Sequence, residues 1–194
     1  MKAVRLHCHG SIKALKFEDI PEPKCKSNQI KIKIGASALN HLDIWVRGGI
    51  SGLDIKMPII LGSDGSGRIV EIGRDISGWN PGDDVVIQPG IFCRKCYYCM
   101  SGNENYCNKY GILGETQNGV QAEYIVVDPI NIHAKSKHLT FEESASMQLV
   151  FMTAYQMLIK RAKLQKNETV LVYGGTSGVG SAAIQISRDI GANV

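Results

Sequence analysis

The segment Cys93-Arg-Lys-Cys96-Tyr-Tyr-Cys99, with Cys107 eight residues further on, decides the fold of the chain around it. Four of the six cysteines fall here, in the spacing Cys-x2-Cys-x2-Cys-x7-Cys. Two-residue gaps let neighbouring thiolates point at one centre, and a fourth thiolate from across a short loop completes a tetrahedron. The segment contains no histidine. We therefore predict an all-sulfur structural zinc site, with one zinc ion per chain.

Two other kinds of site use similar cysteine spacings. Iron–sulfur clusters favour Cys-x2-Cys-x2-Cys, but their usual fourth cysteine comes three residues later and precedes a proline. Here the last gap is seven residues and Asn108 follows Cys107. Disulfides belong to oxidising compartments, and the opening Met1-Lys-Ala-Val-Arg-Leu has no apolar core of signal-peptide type. The residues favour zinc, in a cytoplasmic protein.

The composition argues against two classes of partner. Lys and Arg total 22 against 18 for Asp and Glu, and the basic residues are scattered rather than grouped. A scattered, mild excess of positive charge is not the footprint of a nucleic-acid-binding protein. No apolar run reaches the length of a membrane span. We therefore expect neither a nucleic-acid partner nor a membrane partner.

The first 130 residues have the pattern of a β-rich barrel of short strands. Apolar and polar residues alternate strictly in Gln29-Ile-Lys-Ile-Lys-Ile-Gly, the period of a half-buried strand. A short helical turn follows, ending at Gly49. Alternate strand residues share a face, so His7-Cys8-His9 could hold a metal, although a strand end at the surface is the simpler interpretation. Further strands are predicted at 2–9, 68–72, 84–88 and 119–127.

A different pattern begins near residue 140. Thr140 and Glu143 form a capping-box pattern that predicts a helix as far as about Leu149. A second amphipathic segment covers 153–164. The run 170–173, Val-Leu-Val-Tyr, is short and fully apolar, and it predicts a strand that leads into a glycine-rich turn. The next helix has an apolar face of Val179, Ala182, Ala183, Ile186 and Ile190, with Gly191 as its cap.

The glycine-rich turn has the residues of a phosphate-binding loop. Gly178-Val-Gly180-Ser-Ala-Ala183 fits the G-x-G-x-x-A form of the dinucleotide-binding motif, between a predicted strand and a predicted helix. Helix N-termini carry free N–H groups and partial positive charge, which suit a pyrophosphate. The alternative is a purely structural turn. The residue that selects NAD(H) or NADP(H) comes about twenty positions after the turn, past Val194, so either coenzyme fits.

In this order, the motifs resemble the N-terminal part of a medium-chain dehydrogenase/reductase. The resemblance covers essentially the whole chain and rests on ALNHLDIWVRGG, PIILGSDGSGRIVEIG, PGDDVV, the four-cysteine lobe, FEESASMQLVFMTAY and VLVYGGTSGVGSAAIQIS. It implies a mixed fold, with a GroES-like β-barrel catalytic domain at 1–139 that carries a structural zinc lobe at 92–110. Connecting helices and the first βα unit of an α/β Rossmann cofactor domain follow at 140–194. It also implies a homodimer or homotetramer.

The resemblance implies the site residues as well, with departures from the family pattern. Zinc alcohol dehydrogenases have a catalytic cysteine where this chain has Asn40, and a His-Glu pair where it has Ser63-Asp64. Because asparagine and serine are poor zinc ligands, we expect no catalytic zinc and a substrate oxygen polarised by hydrogen bonds. The implied catalytic residues are Asn40, His41, Asp43, Ser63 and Asp64. The implied cofactor-binding residues are Thr153, which meets the nicotinamide ring, and Gly174, Gly175, Thr176, Ser177, Gly178, Val179 and Gly180.

Less specific roles stay open for three of these residues. Asp43 and Asp64 could equally cap a helix or a turn. His41 could reach a cofactor phosphate, shuttle a proton, or be a surface histidine.

The implied function is an NAD(P)H-dependent oxidoreductase that transfers hydride to a carbonyl, quinone or enone without a catalytic zinc, as in the quinone oxidoreductase branch. A zinc-dependent alcohol dehydrogenase acting on alcohols is the competing enzyme. An interpretation of another class is a non-catalytic, truncated zinc-binding or interaction module. Its basis is that a lone βα unit cannot bury both faces of its sheet without further strands or a partner.

Overall fold

The computed structural model describes all 194 residues, which form two compact units, Met1–Ser146 and Met147–Val194. The strands are β1 (Lys2–Leu6), β2 (Leu15–Asp19), β3 (Ile30–Ala38), β4 (Ile59–Ile60), β5 (Asp64–Ile72), β6 (Asp84–Ile87), β7 (Gly90–Ile91), β8 (Gly111–Ile112), β9 (Tyr124–Val127) and β10 (Ile132–Ala134). The α-helices are α1 (His41–Gly48), α2 (Tyr97–Met100), α3 (Phe141–Ala145), α4 (Gln148–Tyr155) and α5 (Gly178–Ile190). A π-helix at Gln156–Arg161 continues α4. None of the helices combines the length and the apolar character needed to span a membrane.

The strands of the first unit pair in three antiparallel sheets. One sheet has the order β2-β1-β4, the largest has the order β10-β6-β5-β3-β9, and β7 pairs with β8. The alternation predicted for β3 is confirmed, since Ile30 and Ile32 are completely buried. The order of the largest sheet ends at β10 and β9. The hydrogen-bonded pairing therefore does not show the closed barrel that the sequence predicts.

Two apolar clusters fix the elements that carry the candidate site. The larger lies on the five-stranded sheet and includes Ile69, Val85 and Val120. The smaller packs α1 against β1 and β4 through Val46, Leu6 and Ile59. Full burial of one such aliphatic side chain contributes roughly 1.5–3 kcal/mol. The positions of α1 and β5 are thus set by the core of the unit.

The start of α3 confirms the predicted capping box. The Glu143 N–H donates to Thr140 Oγ1 at 3.1 Å, and the Thr140 N–H donates to Glu143 Oε2 at 2.8 Å. The helix is shorter than predicted: α3 ends at Ala145, and a separate helix, α4, begins at Gln148. The Ser66 hydroxyl donates to the Phe141 carbonyl at 2.6 Å, which ties α3 to β5.

Three predictions about strand limits in the first unit are wrong. The strand predicted at 119–127 is formed only at Tyr124–Val127, as β9. The first strand ends at Leu6, and the histidines beyond it have separate partners. His7 Nε2 lies 2.9 Å from Glu18 Oε1, whereas His9 Nδ1 lies 2.9 Å from the Val46 carbonyl, so the two rings do not converge on a metal. β5 begins at Asp64 rather than at residue 68, because its first residues pair with both β3 and β6.

The second unit is built on the packing of α4 against α5. Ala154 of α4 and Ala182 and Ala183 of α5 form its buried centre. The helix predicted after the glycine turn is confirmed as α5, and Gly191 caps it in the left-handed conformation. The amphipathic segment predicted at 153–164 forms the end of α4 and the π-helix.

The strand predicted at 170–173 is not formed. Thr169 and Asn193 make one isolated parallel bridge, but Leu171 is 77% and Tyr173 89% exposed. A strand needs a neighbour for its backbone N–H and C=O groups, and one bridge does not supply it. The predicted first strand of a Rossmann sheet is therefore not confirmed, since residues 169 and 193 share only this one bridge.

Candidate functional site

The four cysteines of the predicted zinc lobe meet at one point. All four sulfur atoms lie within 4.8 Å of one another. Cys93 Sγ is 3.9 Å from Cys99 Sγ, which is 3.5 Å from Cys96 Sγ. A regular tetrahedron with Zn–S bonds of about 2.3 Å has sulfur–sulfur edges of roughly 3.8 Å. The donor set therefore fits one zinc ion held by four thiolates, a closed site that leaves no position for a substrate.

Short pieces of regular structure position these sulfur atoms. α2 begins directly after Cys96 and carries Cys99, while the pairing of β7 with β8 closes the base of the lobe. The backbone N–H groups of Cys93 and Lys109 donate to Cys107 Sγ at 3.5 and 3.3 Å. Such donors stabilise negative charge on sulfur, which is the form that binds metal.

The thiols of the lobe differ in acidity. Backbone N–H groups of Lys95 and Cys96 lower the pKa of Cys93 to about 6. Desolvation, together with the neighbouring thiols, raises the pKa of Cys99 to about 12. Cys99 therefore holds its proton more tightly than Cys93 does. Metal uptake at this lobe accordingly releases protons.

Three of the five candidate catalytic residues are joined by hydrogen bonds at the N-termini of α1 and β5. Asn40 precedes α1, and its Nδ2 donates to Asp64 Oδ2 at 3.0 Å. Asp43 Oδ2 accepts from the Asn40 N–H at 2.8 Å, and Asp43 Oδ1 accepts from the Gly62 N–H at 3.0 Å. One carboxylate thereby links α1 to the segment that enters β5. Burial raises the pKa of Asp43, although these two N–H donors oppose the rise.

Ser63 adds an unused hydroxyl to the same place. Ser63 and Asp64 are each 1% exposed, and Ser63 Oγ has no hydrogen-bond partner. Leaving a buried hydroxyl unsatisfied costs roughly 1–3 kcal/mol. Asn40 keeps a second N–H besides the one given to Asp64, since an amide NH₂ has two donors. Ser63 Oγ and the Asn40 amide are therefore the two groups of this cluster that have a hydrogen-bond donor left over.

His41 lies apart from this group. Its ring is exposed and packs edge-on against Trp45 one turn further along α1, with ring centroids 4.9 Å apart. The sequence places His41 beside Asn40, but the helix turns the two side chains in different directions.

The glycine-rich turn of the second unit ends in a well-capped helix. The Gly180 N–H donates to Ser177 Oγ at 3.0 Å, and the Ser177 N–H donates to the Gly174 carbonyl at 2.9 Å. A Cβ on residue 180 would stand 2.2 Å from the Gly174 carbonyl oxygen, so only glycine fits there. Thr153 is exposed, and its hydroxyl donates to the Leu149 carbonyl at 2.8 Å.

A family profile described as the alcohol dehydrogenase GroES-like domain matches residues 26–137, more than half of the chain. The chain belongs to the medium-chain, zinc-type alcohol dehydrogenase family. An NAD-dependent alcohol dehydrogenase of Sulfurisphaera tokodaii is 36% identical to this chain. The alignment covers 98% of this chain and 56% of that protein. A similar protein of Saccharolobus solfataricus is 33% identical over the same share.

Solved alcohol dehydrogenase structures have the same fold. A crystal structure of an NAD-dependent alcohol dehydrogenase superposes with a TM-score of 0.96 at 41% identity, over 99% of this chain and 56% of that one. A cobalt- and zinc-bound thermostable alcohol dehydrogenase from Pyrobaculum aerophilum gives a TM-score of 0.90 at 29% identity, over 99% and 57%. The chain thus spans about half the length of the alcohol dehydrogenases it matches.

One part of this group of residues could not be predicted from the sequence. Gly62 contacts Asp43 through its N–H, and the glycines at 114 and 119 approach Gly62 closely. The abundance of glycine was visible in the sequence, but which glycines meet depends on contacts between segments far apart in the chain.

Proposed function

We propose that this chain is the zinc- and substrate-binding part of an NAD(P)-dependent oxidoreductase that transfers hydride between a nicotinamide coenzyme and an alcohol or carbonyl compound. The observation that carries the proposal is the identity of 36% over 98% of the chain to a protein named as an NAD-dependent alcohol dehydrogenase. That name favours NAD(H) over NADP(H). A homodimer or homotetramer stays a prediction, which sedimentation of the purified protein would decide.

We further propose that the four-sulfur lobe holds a structural zinc ion and that the substrate oxygen is polarised by hydrogen bonds. Asn40 and Ser63 stand where the family pattern has metal ligands, and neither is a good zinc ligand. Both have a donor to spare, Ser63 Oγ being unpartnered and buried. Donors held in a water-poor site stabilise negative charge that develops on an oxygen. Asp64 holds the Asn40 amide in place at 3.0 Å.

The coenzyme would supply or accept the hydride when bound. The chain contributes the turn at 174–180, whose free N–H groups at the start of α5 suit a pyrophosphate, and Thr153 on α4. A quinone or an enone fits a site of hydrogen-bond donors, because reduction places negative charge on the oxygen that the donors hold.

A zinc-dependent alcohol dehydrogenase is the second candidate. The relatives are named as alcohol dehydrogenases, and one solved structure is described as cobalt- and zinc-bound. In this chain Asp64 would be the first ligand to consider, because it is the carboxylate at the matching position.

Zinc content and one substitution separate the two candidates. Elemental analysis of dialysed protein should give one zinc per chain if only the lobe is filled, and two if a catalytic zinc is present. With one zinc, Ser63→Ala should lower kcat for carbonyl, quinone or enone reduction by roughly a hundredfold, the usual cost of losing an oxyanion donor. Ser51→Ala, at an exposed loop position, is the control. Absence of both turnover and nucleotide binding would favour the non-catalytic module.

A further inference from the structure

The segment that carries Ser63 and Asp64 crosses another segment of the first unit at very short range. The Gly119 N–H donates to the Ile60 carbonyl at 2.8 Å, the Val120 N–H to the Gly62 carbonyl at 3.0 Å, and the Gln121 N–H to the Leu61 carbonyl at 3.0 Å. The two backbones therefore run side by side just before the candidate catalytic residues.

Glycine is required on both sides of this crossing. A Cβ on Gly119 would stand 2.0 Å from the Gly62 oxygen, and a Cβ on Gly114 would stand 2.7 Å from the Gly62 nitrogen, both below the 3.0 Å that real Cβ atoms keep. The atoms in the way belong to the backbone, so no side-chain rotation can relieve the contact. Gly62 and Gly114 also have φ values of 91° and 82°, in the left-handed region.

Gly62 is also bonded to α1, through its N–H group. Its N–H donates to Asp43 Oδ1 at 3.0 Å, and the other oxygen of that buried carboxylate accepts from the Asn40 N–H at 2.8 Å. The N-terminus of α1, the residue before Ser63 and the segment at 114–121 are thus connected through Gly62.

The crossing is also connected to the four-sulfur lobe. β8 follows Cys107 and pairs with β7, and the next residue, Leu113, donates its N–H to the Pro89 carbonyl at 3.0 Å. Gly114 comes directly afterwards, so the lobe and the glycine crossing share one short stretch of backbone.

We propose that Gly62, Gly114 and Gly119 form a positioning contact that sets where Ser63 and Asp64 stand relative to Asn40. The inference rests on the proposed function, in which Asn40 and Ser63 donate to the substrate oxygen and Asp64 holds the Asn40 amide in place. The three glycines act through Ser63 and Asp64, and a displacement of about 1 Å in such a group can cost a hundredfold in rate.

Two alanine variants with similar steric conflicts, 2.0 Å at Gly119 and 2.2 Å at Gly73, test the contact. Gly119→Ala disturbs the crossing. Gly73→Ala meets the Lys26 oxygen at 2.2 Å, just after the far end of β5, and serves as the matched variant. Both should lower the melting temperature. Only Gly119→Ala should lower kcat, by roughly tenfold to a hundredfold, and only it should speed hydrogen exchange at the Gly62 and Val120 amides.

The exchange measurement separates this inference from the proposed function, since it needs no activity. Equal effects of Gly119→Ala and Gly73→Ala on exchange at Gly62 would overturn the inference even in an active enzyme. A wild type without hydride transfer would overturn the proposed function, while faster exchange confined to Gly119→Ala would still support the contact. If Gly119→Ala does not fold, Gly114→Ala disturbs the same contact, because its Cβ would stand 2.7 Å from the Gly62 nitrogen, and it should speed exchange at the Gly62 amide. Unchanged exchange in that variant would overturn the inference.

Discussion

At the scale of single residues, Cys107 is the most enclosed sulfur of the cluster, 6% exposed and with two N–H donors. Cys107→Ser should abolish tight zinc binding, since a serine hydroxyl is a poor zinc ligand. The free energy of binding a structural zinc contributes to the stability of the folded state. We therefore expect the melting temperature to fall by roughly 5 °C or more. Elemental analysis and thermal unfolding measure both effects. Cys8→Ser, at an exposed position outside the cluster, is the control, and one retained zinc in Cys107→Ser would contradict the assignment.

Asp43 should give the stability of the protein a pH dependence in the acid range. Burial raises its pKa above the ordinary 3.8, so above that pH the folded protein keeps a proton that the unfolded chain has lost. The stability due to this proton is present below pH 3.8 and is lost as the pH rises through the raised pKa. The unfolding free energy of the wild type minus that of Asp43→Asn should therefore fall across this window and level off above it.

Urea unfolding at closely spaced pH values measures this difference. Asp54→Asn, at an exposed position, controls for the loss of one negative charge. A wild-type minus Asp43→Asn difference that does not vary with pH would contradict the burial of an ionisable Asp43.

At the scale of elements, the start of α5 depends on a glycine. A Cβ on residue 180 would meet the Gly174 oxygen at 2.2 Å. Gly180→Ala should therefore distort the turn that we propose binds the coenzyme phosphates, and weaken NAD(H) binding at least about tenfold, or 1.4 kcal/mol. Fluorescence or calorimetric titration measures the change. Ser181→Ala, one position along on the exposed face, should bind like the wild type, and equal binding by Gly180→Ala would show that the turn is purely structural.

Elements with a strong local signal could be predicted from the sequence. The strict alternation of β3, the capping box of α3 and the apolar face of α5 are properties of consecutive residues, and all three are found. The segment at 170–173 has a strand-like composition, but a strand forms only beside a partner that lies elsewhere in the chain. The early start of β5 could not be predicted for the same reason. Its first residues are rich in glycine and have a low β-strand propensity, and they form a strand only because they pair with β3 and β6.

At the scale of the whole molecule, the candidate site illustrates the same limit. The cysteine spacing predicts the four-sulfur cluster because the ligands are close in sequence. The contact between Asn40 and Asp64 joins residues 24 positions apart, and no local pattern predicts it. The family resemblance supplied the names of these residues, but the bonds that Asp43 makes to both segments, and the isolation of His41, come only from the fold.

The exposed apolar run of the second unit should govern how the 194-residue chain behaves in solution. Leu171 and Tyr173 present large apolar surfaces to water, 77% and 89% exposed. Leu171→Lys should reduce self-association at high concentration, because it removes apolar surface. It should change the melting temperature little, since the side chain has no core contacts to lose. Sedimentation velocity over a range of concentrations measures this, with Leu164→Lys, at a buried position, as the destabilising contrast. A large loss of stability in Leu171→Lys would mean that residues 170–173 form a buried strand.

Trp45 gives the protein a natural fluorophore on the helix that begins at the candidate site. The chain has two tryptophans, so Trp79→Phe would leave Trp45 as the sole source of indole emission. Its ring is 56% exposed and 4.9 Å from the His41 ring, which makes its emission sensitive to any molecule that displaces water there. A shift in the wavelength of Trp45 emission would then report binding at the N-terminus of α1, without a label and before any substrate is known.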